Sequence, residues 1–433
     1  MSEDSVNFEL KYGMERVPLE IPRANLYGVI QSDKFPVPGD PLEMLGRALT
    51  EPIGCPALPA LVGAGKKVTI VTGDITRLAM RNDLVVPFLI SHLNESGIRD
   101  EDITILVGTG NHRQNTLEEH QRLYGGDIIG RIKVENHDCM DDSRHEWLGT
   151  TSRGTKVHVN RRVLDADCVI LVGGITHHLL AGFSGGRKAI CPGACHLQTI
   201  QQNHSYALGT RPGEYLNPEV QPGRLKGNPV AEDLDEVVAM VEPDFIVNTI
   251  VDGDNRIVDV VAGHWRDAFI EGCRRATQFY TVSVDDPFDV AFVSCGGYPK
   301  DVNMVQTARV LSLIAPVVKD GGMLVVVSEA RDGMGSKEME EWFATPDVDE
   351  MSARLRQSFS LAGHLALDVV LKVKRTPTFL LSRSSVNQCR LMGVTKIDSL
   401  SQALKEATRR FGPEARMCVV PAGKAVFPLI SVR

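Results

Sequence analysis

The chain has 433 residues, too many for one ordinary hydrophobic core, so two domains are expected. Its 43% hydrophobic and 24% charged residues exclude wholesale disorder. A formal net charge of −8 excludes a general nucleic-acid binder, which needs a basic footprint, while leaving room for a local anion pocket.

The opening stretch, MSEDSVNFELKYGMERVPLEIP, places apolar residues at Phe8, Leu10, Tyr12, Val17, Leu19 and Ile21, and this alternation predicts a β-hairpin. It lacks the apolar run of a secretory signal, and no stretch approaches 18 uninterrupted apolar residues, so neither a signal peptide nor a membrane span is expected. Beyond a proline-rich segment at 36–59, KKVTIVTG reads as a buried strand and NDLVVPFLISHLNESG as a helix. DITILVGTGNH is a second strand breaking into a glycine loop, a helix begins near Thr116, and DADCVILVGG is a third strand. The pattern restarts after residue 278: strand FDVAFVSCGG, helix NMVQTARVLSLIAPVV, strand GGMLVVVSEA, helix DSLSQALKEATRRFG and strand ARMCVVPAG. Strands alternating with helices predict an α/β fold, each domain a mostly parallel sheet flanked by helices. The domains are expected at 1–277 and 278–433. The nine cysteines, from Cys55 to Cys418, contain no C-x-x-C pair, so neither a zinc ribbon nor a disulfide framework is expected and a reducing cytoplasm is.

Parallel sheets bind ligands beyond the carboxyl ends of their strands. The loops GDITR (73–77), GTGNHR (108–113) and GGITHHLLAGFSGGRK (173–188) all follow strand ends and should converge on one crevice. They carry Asp74 and Arg77, His112, and His178 with Lys188. A P-loop needs G-x-x-x-x-G-K-[ST], but Arg187 precedes Lys188 and Ala189 follows it, so that reading fails. Gly185 and Gly186 could still offer backbone N–H groups to an anion, or could merely form a tight turn with a solvated Arg–Lys pair. Three histidines could ligate zinc as in a hydrolase, yet no H-E-x-x-H pattern or suitably spaced carboxylate is present. His177, His196 and His264 read as structural or surface residues.

HLLAGFSGGRKAICPG followed by NH (203–204), together with DITR, GTGNHR and GGYPKDVNMVQTAR, resembles the signature of the nickel-pincer lactate racemase family. The resemblance spans most of both domains and rests chiefly on the spacing of His178, Lys188 and His204. It implies an isomerase with its site between two α/β domains, using nickel and pyridinium-3,5-bisthiocarboxylic acid mononucleotide tethered to Lys188. By the same resemblance His204 is the nickel ligand, His112 and His178 are paired acid/base groups, and Asp74 and Arg77 lie near cofactor and substrate. Gly185, Gly186 and Arg187 are expected at the cofactor phosphate. The implied partners are a small 2-hydroxy acid and the enzymes that make the cofactor, with no nucleic acid or membrane. Lactate racemases carry Tyr-Gln-x-x-Lys on the first helix of the second domain, where this chain has Val305, Gln306 and Arg309. Loss of the phenol and a lysine-to-arginine change imply a substrate larger than lactate. Lactate racemisation proper, and a non-catalytic carrier of the nickel nucleotide, are the alternatives.

Overall fold

A computed structural model of the chain describes residues 4–211 and 213–430. It divides into two compact units. One covers Phe35–Gly209 and Asn217–Gln278, and the other takes the remaining described residues.

The first unit is built on a six-stranded sheet in the order Ile257–Gly263, Phe245–Val251, Cys168–Gly174, Val68–Gly73, Ile103–Gly108, Lys133–Asn136. All neighbours are parallel except the first pair, which is antiparallel. The central strands are near-continuous apolar runs because helices cover both of their faces. Ile70, Ile105 and Ile170 form one core with Val85, Val86, Leu89, Ile90 and Leu93 of the helix Asn82–Glu95. The helix expected near Thr116 runs Leu117–Tyr124. Thr116 caps it and Glu119 reaches back to complete a capping box. Strand order reverses between Val68–Gly73 and Cys168–Gly174, whose next strands in sequence lie on opposite sides. Loops diverge at such a point and leave a crevice beyond the strand ends.

In the second unit six parallel strands run in the order Thr395–Ile397, Thr378–Leu381, Val318–Val327, Phe288–Ser294, Met417–Val420, Leu26–Val29. Helix Met304–Ile314 starts on Asn303, whose side chain accepts from the Gln306 amide, and gives way to a 3-10 turn containing Pro316. Three helices within 328–375, at Lys337–Phe343, Val348–Gln357 and Leu361–Arg375, go beyond the elements read from sequence.

The expected hairpin is present, with Ser5–Tyr12 antiparallel to Glu15–Pro22. Its assignment to the first domain is corrected, however. Leu10, Leu19 and Ile21 are buried in one core with Val290, Phe292, Val325 and Val419, and Leu26–Val29 pairs with Met417–Val420. The hairpin has only one apolar face, and the second unit's sheet is what covers it. Leu19→Ala should therefore destabilise the second unit by about 2–5 kcal/mol. Urea denaturation checks this, and the loss should be read in probes of 279–430.

Candidate active site at the strand ends

Val68–Gly73 ends at Asp74, which caps the short helix Ile75–Met80 by accepting from Thr76 N at 2.7 Å and Thr76 Oγ1 at 2.5 Å. Its other oxygen, Oδ2, lies 2.7 Å from Nδ1 of His112, which follows the neighbouring strand Ile103–Gly108. Burial alone would raise the Asp74 carboxyl. The His112 ring beside it, the hydrogen bond between them, Arg77 and the Thr76 hydroxyl outweigh burial and hold the group below the usual carboxylate range. An ionised Asp74 accepts the Nδ1–H of His112 and so leaves the ring's lone pair on Nε2, the form a general base needs. Gly73 makes room for Arg77: a Cβ there would meet the arginine side chain at 2.6 Å.

His178 has the opposite arrangement. It lies in the two-residue strand His177–His178, paired with Gly182–Phe183, and its Nδ1 accepts the backbone N–H groups of Leu180 at 3.1 Å and Ala181 at 3.2 Å. An amide N–H can only donate, so the neutral ring carries its hydrogen on Nε2. That atom lies 3.2 Å from Lys188 Nζ, and because an ammonium only donates, the Nε2–H can bond it only when the amine is neutral. Sequence reasoning treated the two histidines as equivalent; their hydrogen bonds make one an acceptor and the other a donor at Nε2. Adjacent His177 stacks on Phe183, and burial pushes its pKa down to about 3, so it is neutral and structural.

The glycine loop lies directly on the strand ends. A Cβ on Gly173 would come within 2.6 Å of Gly186 N, and one on Gly108 within 3.1 Å of Ala189 O and 3.2 Å of Gly193. Gly110 N donates to Gly193 O and Gly193 N to Lys188 O, tying the His112 loop to the lysine loop. This packing revises three expectations. The Gly186 N–H is committed to Asn248 Oδ1 at 2.7 Å, and Gly185, at φ +120°, is packed against Phe269 and Asn248. Arg187 is 0% exposed, paired with Asp235, donating to Ala181 O at 3.0 Å and stacked on Phe269. Gly185, Gly186 and Arg187 thus hold the loop to the protein, and a phosphate would need other donors.

His204, on the helix Leu197–Ser205, is 2% exposed and directs Nδ1 at Ile200 O, 3.0 Å away. Its Nδ1–H is held by that carbonyl, which puts the lone pair on Nε2 as a metal ligand requires. Among the described residues no group of three or more His, Cys, Asp or Glu side chains is arranged to hold a metal.

Val305, Gln306 and Arg309 lie in the second unit. Val305 and Arg309 are half-buried, and Gln306 is buried and accepts from Lys424 Nζ at 2.5 Å. Sequence reasoning missed Asn248 and His137. Asn248 was detectable as the polar residue inside the buried strand FIVNTIV. His137 follows a strand end and links three segments. Its backbone accepts from Thr109 Oγ1 and donates to Val107 O, while its ring donates to Cys195 O at 3.0 Å and accepts from Asn160 at 3.0 Å.

Residues 12–214 match the lactate racemase N-terminal domain family, and residues 284–428 match the lactate racemase C-terminal domain family. The lactate racemase of Thermoanaerobacterium thermosaccharolyticum is 28% identical over 97% of this chain and 98% of its own. That of Lactiplantibacillus plantarum is 29% identical over 97% of this chain and 99% of its own. The solved lactate racemase apoprotein from T. thermosaccharolyticum superposes with a TM-score of 0.87, covering 98% of this chain and 100% of that one. A Thermotoga maritima protein at 20% identity and a TM-score of 0.69, over 92% of this chain and 100% of its own, shares the fold.

Burial lowers the His137 pKa to about 4 from an unfolded value near 6.5. A group depressed in the folded state contributes stability that is complete above the unfolded value and is lost as pH falls from about 6.5 through about 4. His137→Gln should flatten that part of the stability–pH curve, by up to roughly 1.4 kcal/mol for each pH unit in the window. An unchanged slope in urea titrations between pH 7 and 4.5 would contradict the assignment.

Proposed function

The chain belongs to the lactate racemase family, and on that premise we propose that it is a nickel-pincer-nucleotide-dependent isomerase. It inverts C2 of a 2-hydroxy acid larger than lactate by reversible hydride transfer through the 2-keto acid. The observation that carries this reading is the placing of Lys188 Nζ 3.2 Å from His178 Nε2, on a loop tied by backbone bonds to the one bearing His112. A carrier of the nucleotide would need an attachment residue but no such histidines.

The residues present fit the group. Lys188 offers an amine for the tether, and His204 offers a buried imidazole in the ligand tautomer. When bound, the nickel-pincer nucleotide supplies the hydride acceptor that side chains lack. The chain's own residues handle the hydroxyl. His112, with its Nδ1–H on ionised Asp74, takes the hydroxyl proton at Nε2 and returns it as the alcohol re-forms. The Asp74 carboxylate stabilises the imidazolium that results and keeps the ring oriented, which is why its burial is tolerated. His178 donates from Nε2 to the substrate oxygen, stabilising charge there as a neutral electrophile does. Gln306 and Arg309 recognise carboxylate, arginine doing so bidentately where lysine acts as a point charge. Val305 in place of a tyrosine removes a phenol and leaves space for a larger C2 substituent. The setting proposed is the cytoplasm, with the cofactor received from separate synthesis enzymes.

Intact mass spectrometry of protein co-produced with those enzymes should show an adduct of several hundred daltons that Lys188→Ala abolishes. An active but unmodified protein would refute the reading. In loaded protein, His112→Ala and His178→Ala should each lose roughly 10²–10⁴-fold in inversion rate. His178→Gln, which keeps an N–H donor, should recover part of that loss, and His112→Gln should recover none. Equal recovery by both glutamines would contradict the division of roles.

A further inference from the structure

Four histidines outside the candidate site lie against one another in the first unit, and none of them has a part in the chemistry above. His137 and His145 meet with ring centroids 5.2 Å apart at 87°, His145 and His196 at 5.1 Å and 84°, and His158 and His196 at 5.9 Å. They come from four places: the segment after Lys133–Asn136, the strands His145–Thr150 and Lys156–Asn160, and the N-cap of the helix Leu197–Ser205. That helix carries His204, and the segment leading into it follows Lys188. The cluster therefore grips the stretch of chain that joins the two residues proposed to hold the cofactor.

The hydrogen bonds around the cluster require neutral rings. His196 Nδ1 accepts from Gln198 N at 3.1 Å, capping the helix, while its Nε2–H is occupied by Asp142 at 3.0 Å. The His137 ring accepts from Asn160 at Nδ1 and donates from Nε2 to Cys195 O, just before that cap, both at 3.0 Å. His145 donates from Nδ1 to Asp141 O at 2.8 Å, and its Nε2 is buried with no hydrogen-bond partner. His158 holds the same helix start through its backbone: its O accepts from His196 N and its N donates to Thr199 Oγ1, both at 3.0 Å. A proton on His196 Nδ1 would remove the cap, one on His137 Nδ1 would face the Asn160 amide, and one on His145 Nε2 would have no acceptor. Burial is the largest cause that holds His137, His145 and His158 below the ordinary imidazole range. Arg144, Lys156 and the neighbouring histidines act in the same direction, and Asp138, Asp141 and Asp142 oppose it. The nearby thiols of Cys139 and Cys195 are pushed up by burial and stay uncharged.

We propose that the four histidines form an acid-sensitive latch within the first unit. Neutral, they clamp the start of the helix Leu197–Ser205 and the segment that follows Lys188; on taking up protons they release both. Weakened hold on the cofactor in acid is the consequence, and that part rests on the nickel-nucleotide reading above. A ring held below its unfolded value, near 6.5, keeps the latch closed above that pH and favours opening as pH falls toward its folded value. Because several rings act on one helix start, opening takes up more than one proton.

Hydrogen exchange at the amides of 195–200, corrected for intrinsic rates and followed from about pH 6.5 to about 4.5 in full-length protein without cofactor, reads the opening. One proton taken up on opening raises the opening constant by at most about tenfold per pH unit. The latch predicts a steeper rise, roughly a hundred-fold per unit, while the amides of the helix Asn82–Glu95 stay closed. His196→Asn, which caps without titrating, and His145→Phe, which keeps a ring without nitrogen, should each cut that rise by roughly tenfold per unit. In loaded protein, nickel retained after dialysis should fall between pH 7 and pH 5, and the double variant should retain it at both. A rise of tenfold or less per unit, or one shared equally by Asn82–Glu95 as in ordinary acid unfolding, would overturn the latch. Amides that open while nickel is retained equally at both pH values would overturn its hold on the cofactor. If the protein takes up no nickel nucleotide at any pH, the racemase reading fails, and the exchange measurement still decides the latch.

Discussion

Backbone lying on backbone at the carboxyl ends of the first sheet is the constraint from which the candidate site follows. Gly173 and Gly186 approach so closely that a side-chain carbon on the former would collide with the latter's nitrogen, and Gly108 is similarly covered by Ala189 and Gly193. Without Cβ atoms at these positions the segment 185–193 can lie across three strand ends instead of arching over them. Lys188 is thereby brought to His178, and Gly193 bonds to the loop that carries His112. Arg187 and Asn248 serve the same packing from beneath, one through a buried ion pair with Asp235 and the other through Gly186 N. Glycine loops at strand ends are usually read as phosphate cradles. Here the Gly186 amide and both terminal nitrogens of the Arg187 guanidinium are bonded within the protein, and what the loop brings to His178 is an amine.

On this scaffold the chemistry is divided by hydrogen bonds that decide which imidazole nitrogen holds the hydrogen. A carboxylate kept ionised despite burial makes His112 an acceptor at Nε2, two backbone amides make His178 a donor there, and a helix carbonyl leaves His204 with a ligand lone pair. Three residues of one type thus divide into two tautomers, His112 and His204 with the lone pair on Nε2 and His178 with the hydrogen there. The second unit contributes no base or nucleophile to this account. Its Gln306 and Arg309 are the residues proposed to recognise the substrate carboxylate.

Much of this was legible in the sequence. Apolar-rich runs such as VTIVTG and ITILVG give buried parallel strands, and Asp74, His112 and His178 fall in the loops that follow strand ends. The capped helix at Thr116 was marked by its own side chains. What was not legible depends on partners distant in the chain. The hairpin's alternation showed one apolar face without saying which unit covers it, and the strand Leu26–Val29 pairs with one near the other end of the chain. An arginine next to a lysine in a glycine loop reads as solvated, and only Asp235 and Phe269 from elsewhere explain why Arg187 is buried. Lys424 follows a glycine in an ordinary loop, with nothing local to mark its bond to Gln306.

The central claim is that these side chains move only the hydroxyl proton, while the hydrogen on C2 leaves and returns without exchanging with water. Inversion of an unlabelled, enantiopure 2-hydroxy acid by the cofactor-loaded protein in D2O, followed by proton NMR at C2, tests it most directly. The account predicts product of the opposite configuration with protium still at C2 after racemisation is complete. Deuterium entering C2 at the rate of inversion would show a proton abstracted from carbon and would contradict it.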